Sequence, residues 1–163
     1  LEGPADGIYA RLADQLTAEG IASVRVDYRQ PRILMESVID TLAGVAFLKT
    51  KGHTTIALVG HSFGGAVVIT AAPLSQEVKA VVALSSQTSG AQNAGLLAPR
   101  PLLLVHGEAD TRLPAQASRA IYLLAKQPKE LVLYPNAGHS LRECKDELDA
   151  LLKRWLTEKL KMG

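Results

Sequence analysis

A chain of 163 residues, 47% of them apolar, holds enough apolar material for one globular domain with a substantial core and too little length for a second. Eighteen Lys plus Arg against sixteen Asp plus Glu leave a formal charge of +2, spread without a basic block, so nucleic-acid binding has no electrostatic support. The longest nearly apolar stretch, residues 63–74, is interrupted by Thr70 and Pro73 and falls far short of the roughly 20 residues that span a bilayer, so no membrane span is expected. The lone cysteine, Cys144, forms no internal disulfide and accords with a reducing, cytoplasmic compartment.

In chain order, residues 21–28 (IASVRVDY) open the pattern as a short run rich in β-branched residues, which predicts a strand. Leu34, Val38, Leu42 and Val45 follow at helical spacing. Residues 55–59 (TIALV) predict a second strand, and the apolar stretch 66–72 a helix behind it. Residues 78–85 (VKAVVALS), 101–106 (PLLLVH) and 130–134 (ELVLY) predict three more strands. The segment 86–100 is the longest expected surface loop. A last helix carries Leu148, Leu151, Leu152, Trp155, Leu156 and Leu160 on one stripe, and Cys144 is expected on the same apolar face. Strands that are apolar on both faces and separated by helix-length segments fit parallel β-α-β units, because crossover helices cover both faces of such a sheet. The expected architecture is an α/β three-layer sandwich around a mostly parallel sheet, in a single domain.

Ligand sites in such sheets lie at the carboxyl ends of the strands. The second strand is followed by Gly60-His61-Ser62-Phe63-Gly64-Gly65, a G-x-S-x-G sequence leading into a helix. A serine on a sharp strand-to-helix turn presents its hydroxyl to solvent, and flanking glycines relieve the crowding of that turn. The fourth strand is followed by His106-Gly107-Glu108-Ala109-Asp110 and the fifth by Gly138-His139. Nucleophile, acid and base therefore stand in the order Ser, Asp or Glu, His. Both Glu108 and Asp110 are carboxylates in the right place, and a helix-capping role ahead of residues 113–125 also suits Asp110.

These motifs resemble the α/β-hydrolase fold, and within it the small lidless serine hydrolases similar to dienelactone hydrolase. The resemblance covers nearly the whole chain. It implies Ser62 as nucleophile, Asp110 as the acid at the end of its motif, and His139 as the base that takes the serine proton and returns it to the leaving group. His53 is then expected as a solvated loop residue, and His61 and His106 in packed or hydrogen-bonded structural roles. Dienelactone hydrolases proper carry a cysteine where Ser62 stands, so ring-opening of dienelactone is not carried over.

One oxyanion donor is expected to be the backbone N–H of Phe63, just after the nucleophile. In the family the other comes from a loop after an earlier strand, which this chain does not contain. Leu1, with Glu2 and Gly3 close behind, is the nearest expected substitute. That absent strand normally lies beside the nucleophile strand, so residues 55–59 are expected to show an unpaired edge and the chain to be N-terminally incomplete.

About fifteen residues join the third and fourth strands, too few for a cap, so an open site is expected. Tyr28 and Arg29 after the first strand, residues 86–88 after the third, and Leu113 beside the acid are its expected border, with Arg29 either a solvated charge or an anchor for a substrate carboxylate. No cofactor is expected, and no metal, since neither a Cys pair nor a His-x-x-x-His spacing occurs. The expected function is hydrolysis of small-molecule esters or thioesters with small, accessible acyl groups, through an acyl-enzyme. The alternative is an idle α/β-hydrolase scaffold used for protein or ligand binding. A peptidase fits less well, because so small a chain offers little room for extended peptide subsites.

Overall fold

The computed structural model describes residues 2–161. Helix α1 (Pro4–Thr17) is followed by an irregular stretch, then by α2 (Leu34–Thr50), β1 (Ile56–His61) and α3 (Phe63–Ala71). Next come β2 (Val78–Leu84), β3 (Leu102–Gly107), α4 (Gln116–Leu124), β4 (Lys129–Tyr134) and α5 (Lys145–Lys161). The four strands form one parallel sheet in the order β1-β2-β3-β4.

Side chains of a strand alternate between its faces, and here both faces are apolar. Val81, Ala83, Leu102 and Leu104 point to one side, where they pack with Val38 and Val45 of α2, Val67 and Val68 of α3, and Ile121 of α4. Ala80, Val82, Leu84, Leu103 and Val105 point to the other, against Ile8, Leu12 and Leu16 of α1 and Leu148, Leu152, Trp155 and Leu156 of α5. Each fully buried leucine or valine contributes about 1.5–3 kcal/mol, so β2 and β3, buried along nearly their whole length, anchor the fold. This is the three-layer α/β arrangement expected from the sequence. No helix among the described residues is long and apolar enough to cross a membrane.

Two expectations need correction. Residues 21–28 form no strand of the sheet, so four strands are seen among the described residues where five were expected. Cys144 is buried in the second apolar cluster, but from a short 3₁₀ turn, Arg142–Cys144, just ahead of α5.

The first correction has a geometric cause. The N–H groups of Ile56 and Ser62 donate towards β2, to the carbonyls of Glu77 and Leu84 at 2.9 and 2.8 Å. By alternation, those of Ala57, Val59 and His61 point to the opposite edge. The Tyr9 side chain, from α1, lies against the His61 backbone at that edge. Beyond that edge, a cavity of about 590 Å³ separates β1 from residues 21–26. Val45 and Leu48 of α2 cover it on one side, and Leu12 and Leu16 of α1 on the other. Strand structure requires a hydrogen-bonded strand within about 5 Å, and residues 21–26 pair with none among the described residues.

Candidate active site

The elbow at the end of β1 follows from steric demands. Ser62 has φ 58° and ψ −117°, a conformation a non-glycine residue adopts only when its surroundings impose it. The turn is so tight that a side chain at Gly60 would strike the backbone carbonyl of Gly64, and one at Gly65 would meet Ser86 at 2.6 Å. Ser62 thus caps α3 with its hydroxyl outside the helix. Phe63 is the first residue of α3, where backbone N–H groups have no partner within the helix, so its N–H is available beside the serine.

The loops after β3 and β4 meet this turn. His139 places Nε2 3.1 Å from Ser62 Oγ and Nδ1 2.7 Å from Asp110 Oδ2. Asp110 is buried. Its Oδ1 accepts the N–H groups of Arg112 and Leu113, both at 2.8 Å. Burial alone would raise the Asp110 carboxyl, but the Leu113 N–H, the His139 ring and the Arg112 N–H outweigh it and hold the group below the ordinary carboxylate range. Glu108, the competing carboxylate, is exposed and bonded to Arg119 at 2.8 Å. The acid and histidine loops are joined by the Ala109 N–H, which donates to the Ala137 carbonyl at 3.0 Å.

The other histidines separate cleanly. His53 is exposed. His106 is buried, with Nδ1 2.7 Å from Ser118 Oγ. Its Nε2–H donates to the Leu113 carbonyl at 2.8 Å and also leans on Asp110 Oδ2 at 3.1 Å. His61, expected in a packed or hydrogen-bonded role, has its Nε2 2.9 Å from the His139 carbonyl, and the two rings stand 4.8 Å apart. Its position next to Ser62 was the only signal in the sequence.

Burial is the main cause that lowers the His61 imidazole to about 4, against the opposing pull of the His139 carbonyl. A base held neutral by folding loses stability in acid, since the unfolded histidine takes up a proton near pH 6.5 and the folded one only near 4. Stability should therefore fall between those values by up to about 3 kcal/mol from this residue. Urea unfolding across that range should show a shallower decline for His61→Gln than for the parent.

Of the expected border residues, Tyr28 is half-buried and stands edge-on to Phe63, with ring centroids 6.2 Å apart. Its hydroxyl faces Gly64 and lies near the Thr41 side chain. Leu113 is half-buried beside the acid, with both its backbone groups engaged there. Arg29 is exposed, but its backbone N–H and its Nε both bind Asp40, at 2.8 and 2.5 Å, and Nη2 is 3.5 Å from Glu36. Its guanidinium is thus committed to α2 and is not poised to anchor a substrate carboxylate. Leu1, the expected second oxyanion donor, lies outside the described residues. Gly3 borders the cavity that reaches Ser62, while the carbonyl of Glu2 accepts the Tyr9 N–H at 3.1 Å. No group of three or more His, Cys, Asp or Glu able to hold a metal occurs among the described residues.

Comparison with known proteins agrees with the fold. YfhR of Escherichia coli K12, an uncharacterized protein, is 45% identical over 56 residues, a match that covers 34% of this chain and about a fifth (20%) of YfhR. Dienelactone hydrolase from Anabaena variabilis superposes with a TM-score of 0.83 at 19% identity, covering 97% of this chain and 83% of that one. The esterase domain of a Rhodothermus marinus protein gives 0.80 at 22% identity, covering 94% and 80%. Est1E from Butyrivibrio proteoclasticus gives 0.80 at 21%, covering 94% and 82%. At these identities the structural likenesses establish the α/β-hydrolase fold. The model of the dienelactone hydrolase family matches residues 5–155, nearly the whole chain, and the chain belongs to that family.

Proposed function

We propose that this protein is a serine hydrolase that cleaves carboxylic esters or thioesters of small, accessible acyl groups. The reading rests on one observation, the continuous hydrogen-bonded line Ser62 Oγ, His139, Asp110, with contacts of 3.1 and 2.7 Å. A serine hydroxyl is a weak nucleophile at neutral pH until a base takes its proton. In this reading Ser62 Oγ attacks the acyl carbonyl carbon while His139 Nε2 accepts the hydroxyl proton. The carbonyl oxygen becomes an oxyanion beside the Phe63 N–H, where a helix N-terminus favours negative charge. His139 then gives the proton to the departing alcohol or thiol, leaving an acyl-Ser62. Water attacks that ester by the same route, with His139 as base and then acid, and releases the carboxylic acid. Asp110 holds the imidazole and stabilises its cation.

Membership of a hydrolase family and the esterase neighbours support this chemistry at the level of reaction class. The cytoplasm is the compartment that suits a chain with one buried free thiol. The cavity along the free edge of β1 has the lining of a place for one further strand, and in this reading the domain is completed there.

Intact-mass measurement after incubation with a fluorophosphonate tests the proposal without knowledge of the true substrate. The parent should gain a single adduct, and Ser62→Ala none. A well-folded parent without an adduct would reject a working nucleophile in this chain, leaving either a need for the strand that completes the domain or an idle binding scaffold.

A further inference from the structure

Two consecutive residues of the elbow grip the same histidine. Ser62 meets the ring of His139 at Nε2, while the side chain of His61 meets its backbone carbonyl at 2.9 Å. A carbonyl oxygen only accepts, so His61 Nε2 carries the hydrogen and donates it. We propose that His61 is a positioning residue, whose Nε2–H holds the His139 carbonyl and so sets the register between the nucleophile elbow and the histidine loop. The inference rests on the triad reading above.

The remaining ties of the histidine loop lead elsewhere. The Ala5 N–H donates to the Ser140 carbonyl at 2.6 Å, and Arg142 Nε pairs with Asp6 at 2.8 Å, both towards α1. Glu143 receives the Gly138 N–H at 3.0 Å, and the Ala137 carbonyl serves the acid loop. Among the described residues, His61 is the tie from this loop to the elbow besides the Ser62 contact itself. A second cavity, of about 440 Å³, is bordered by His61, Ser140, Gly3 and Arg142. It leaves space for the loop to settle away from Ser62 once the tie is cut. The His61 ring faces His139, with Asp110 and His106 within electrostatic reach and the Tyr9 side chain beside its backbone. Its buried, neutral form keeps one ring nitrogen protonated, as the geometry requires.

A shift of about 1 Å in a reacting group is worth on the order of 100-fold in rate, so the loss should appear in kcat. Three variants separate positioning from packing when assayed with p-nitrophenyl acetate. In His61→Gln the amide nitrogen reaches nearly the position of Nε2, and kcat should stay within about threefold of the parent. His61→Asn is polar but too short, and His61→Leu has no donor. Both should lose about 10- to 100-fold in kcat with KM within about twofold, since substrate binding is untouched. Equal kcat for the Gln and Asn variants would overturn the inference. Nitrogen-15 spectra of the histidine rings in folded Ser62→Ala protein supply a readout that needs neither activity nor a His61 variant. The Nε2–H tautomer is expected for His61, and the Nδ1–H tautomer would overturn the inference alone. A parent that forms no fluorophosphonate adduct would overturn the triad reading and this inference with it.

Discussion

Asp110→Asn should lower kcat for p-nitrophenyl acetate by about 10³- to 10⁴-fold, while Glu108→Gln leaves it within about twofold. The asymmetry follows from placement. Asp110 Oδ2 lies 2.7 Å from His139 Nδ1, so the carboxylate fixes the tautomer that leaves Nε2 free to accept the Ser62 proton. An asparagine can keep its carbonyl oxygen on the Arg112 and Leu113 N–H groups, which places its NH₂ against both histidines. His139 must then turn Nδ1 into an acceptor and carry its proton on Nε2, facing Ser62, where it cannot act as a base. Glu108 points to solvent with Arg119 as partner, and its amide changes nothing at the elbow. Paired kcat and KM values, with melting curves to confirm folding, check the prediction. A Glu108→Gln loss matching that of Asp110→Asn would contradict the assignment of the acid.

Gly60→Ala should destabilise the protein by about 3 kcal/mol, lowering Tm by about 10 °C, and should abolish labelling of Ser62 in whatever fraction still folds. The added methyl points at the Gly64 carbonyl, which is backbone of the first turn of α3 and has no rotamer to offer. Relief would mean lifting α3 off β2, and α3 contributes Ala66, Val67, Val68 and Ile69 to the first apolar cluster. Ser62→Ala, by contrast, removes one half-buried hydroxyl and should leave Tm within about 2 °C of the parent. Differential scanning fluorimetry on the two variants side by side separates the cost of the turn from the cost of the nucleophile.

The proposed triad is legible in the sequence because each member stands directly after an apolar run, and a parallel sheet brings the carboxyl ends of its strands together. The two carboxylates are not separable on spacing alone, and the resolution lies in direction, since Asp110 turns inward and Glu108 outward. Residues 21–28 have every local mark of a strand, yet strand structure belongs to pairs of segments, and the nearest edge lies across a cavity. Helix α1 escapes the sequence reading because its apolar stripe amounts to Ile8, Leu12 and Leu16 after a left-handed entry at Ala5, Asp6 and Gly7. The contact of His61 with His139 joins residues 78 positions apart and leaves no trace in either local pattern.

A carboxylate has about four lone-pair sites, and in Asp110 four donors converge on them: the N–H groups of Arg112 and Leu113 on one oxygen, and His139 and His106 on the other. No vacant site is left for a proton. In the proposed hydrolysis a proton leaving Ser62 therefore goes to His139 and no further towards Asp110, so each proton-transfer step moves a single hydron between two heavy atoms. The dependence of rate on the deuterium content of the solvent then follows a straight line, the form that one hydron in flight imposes.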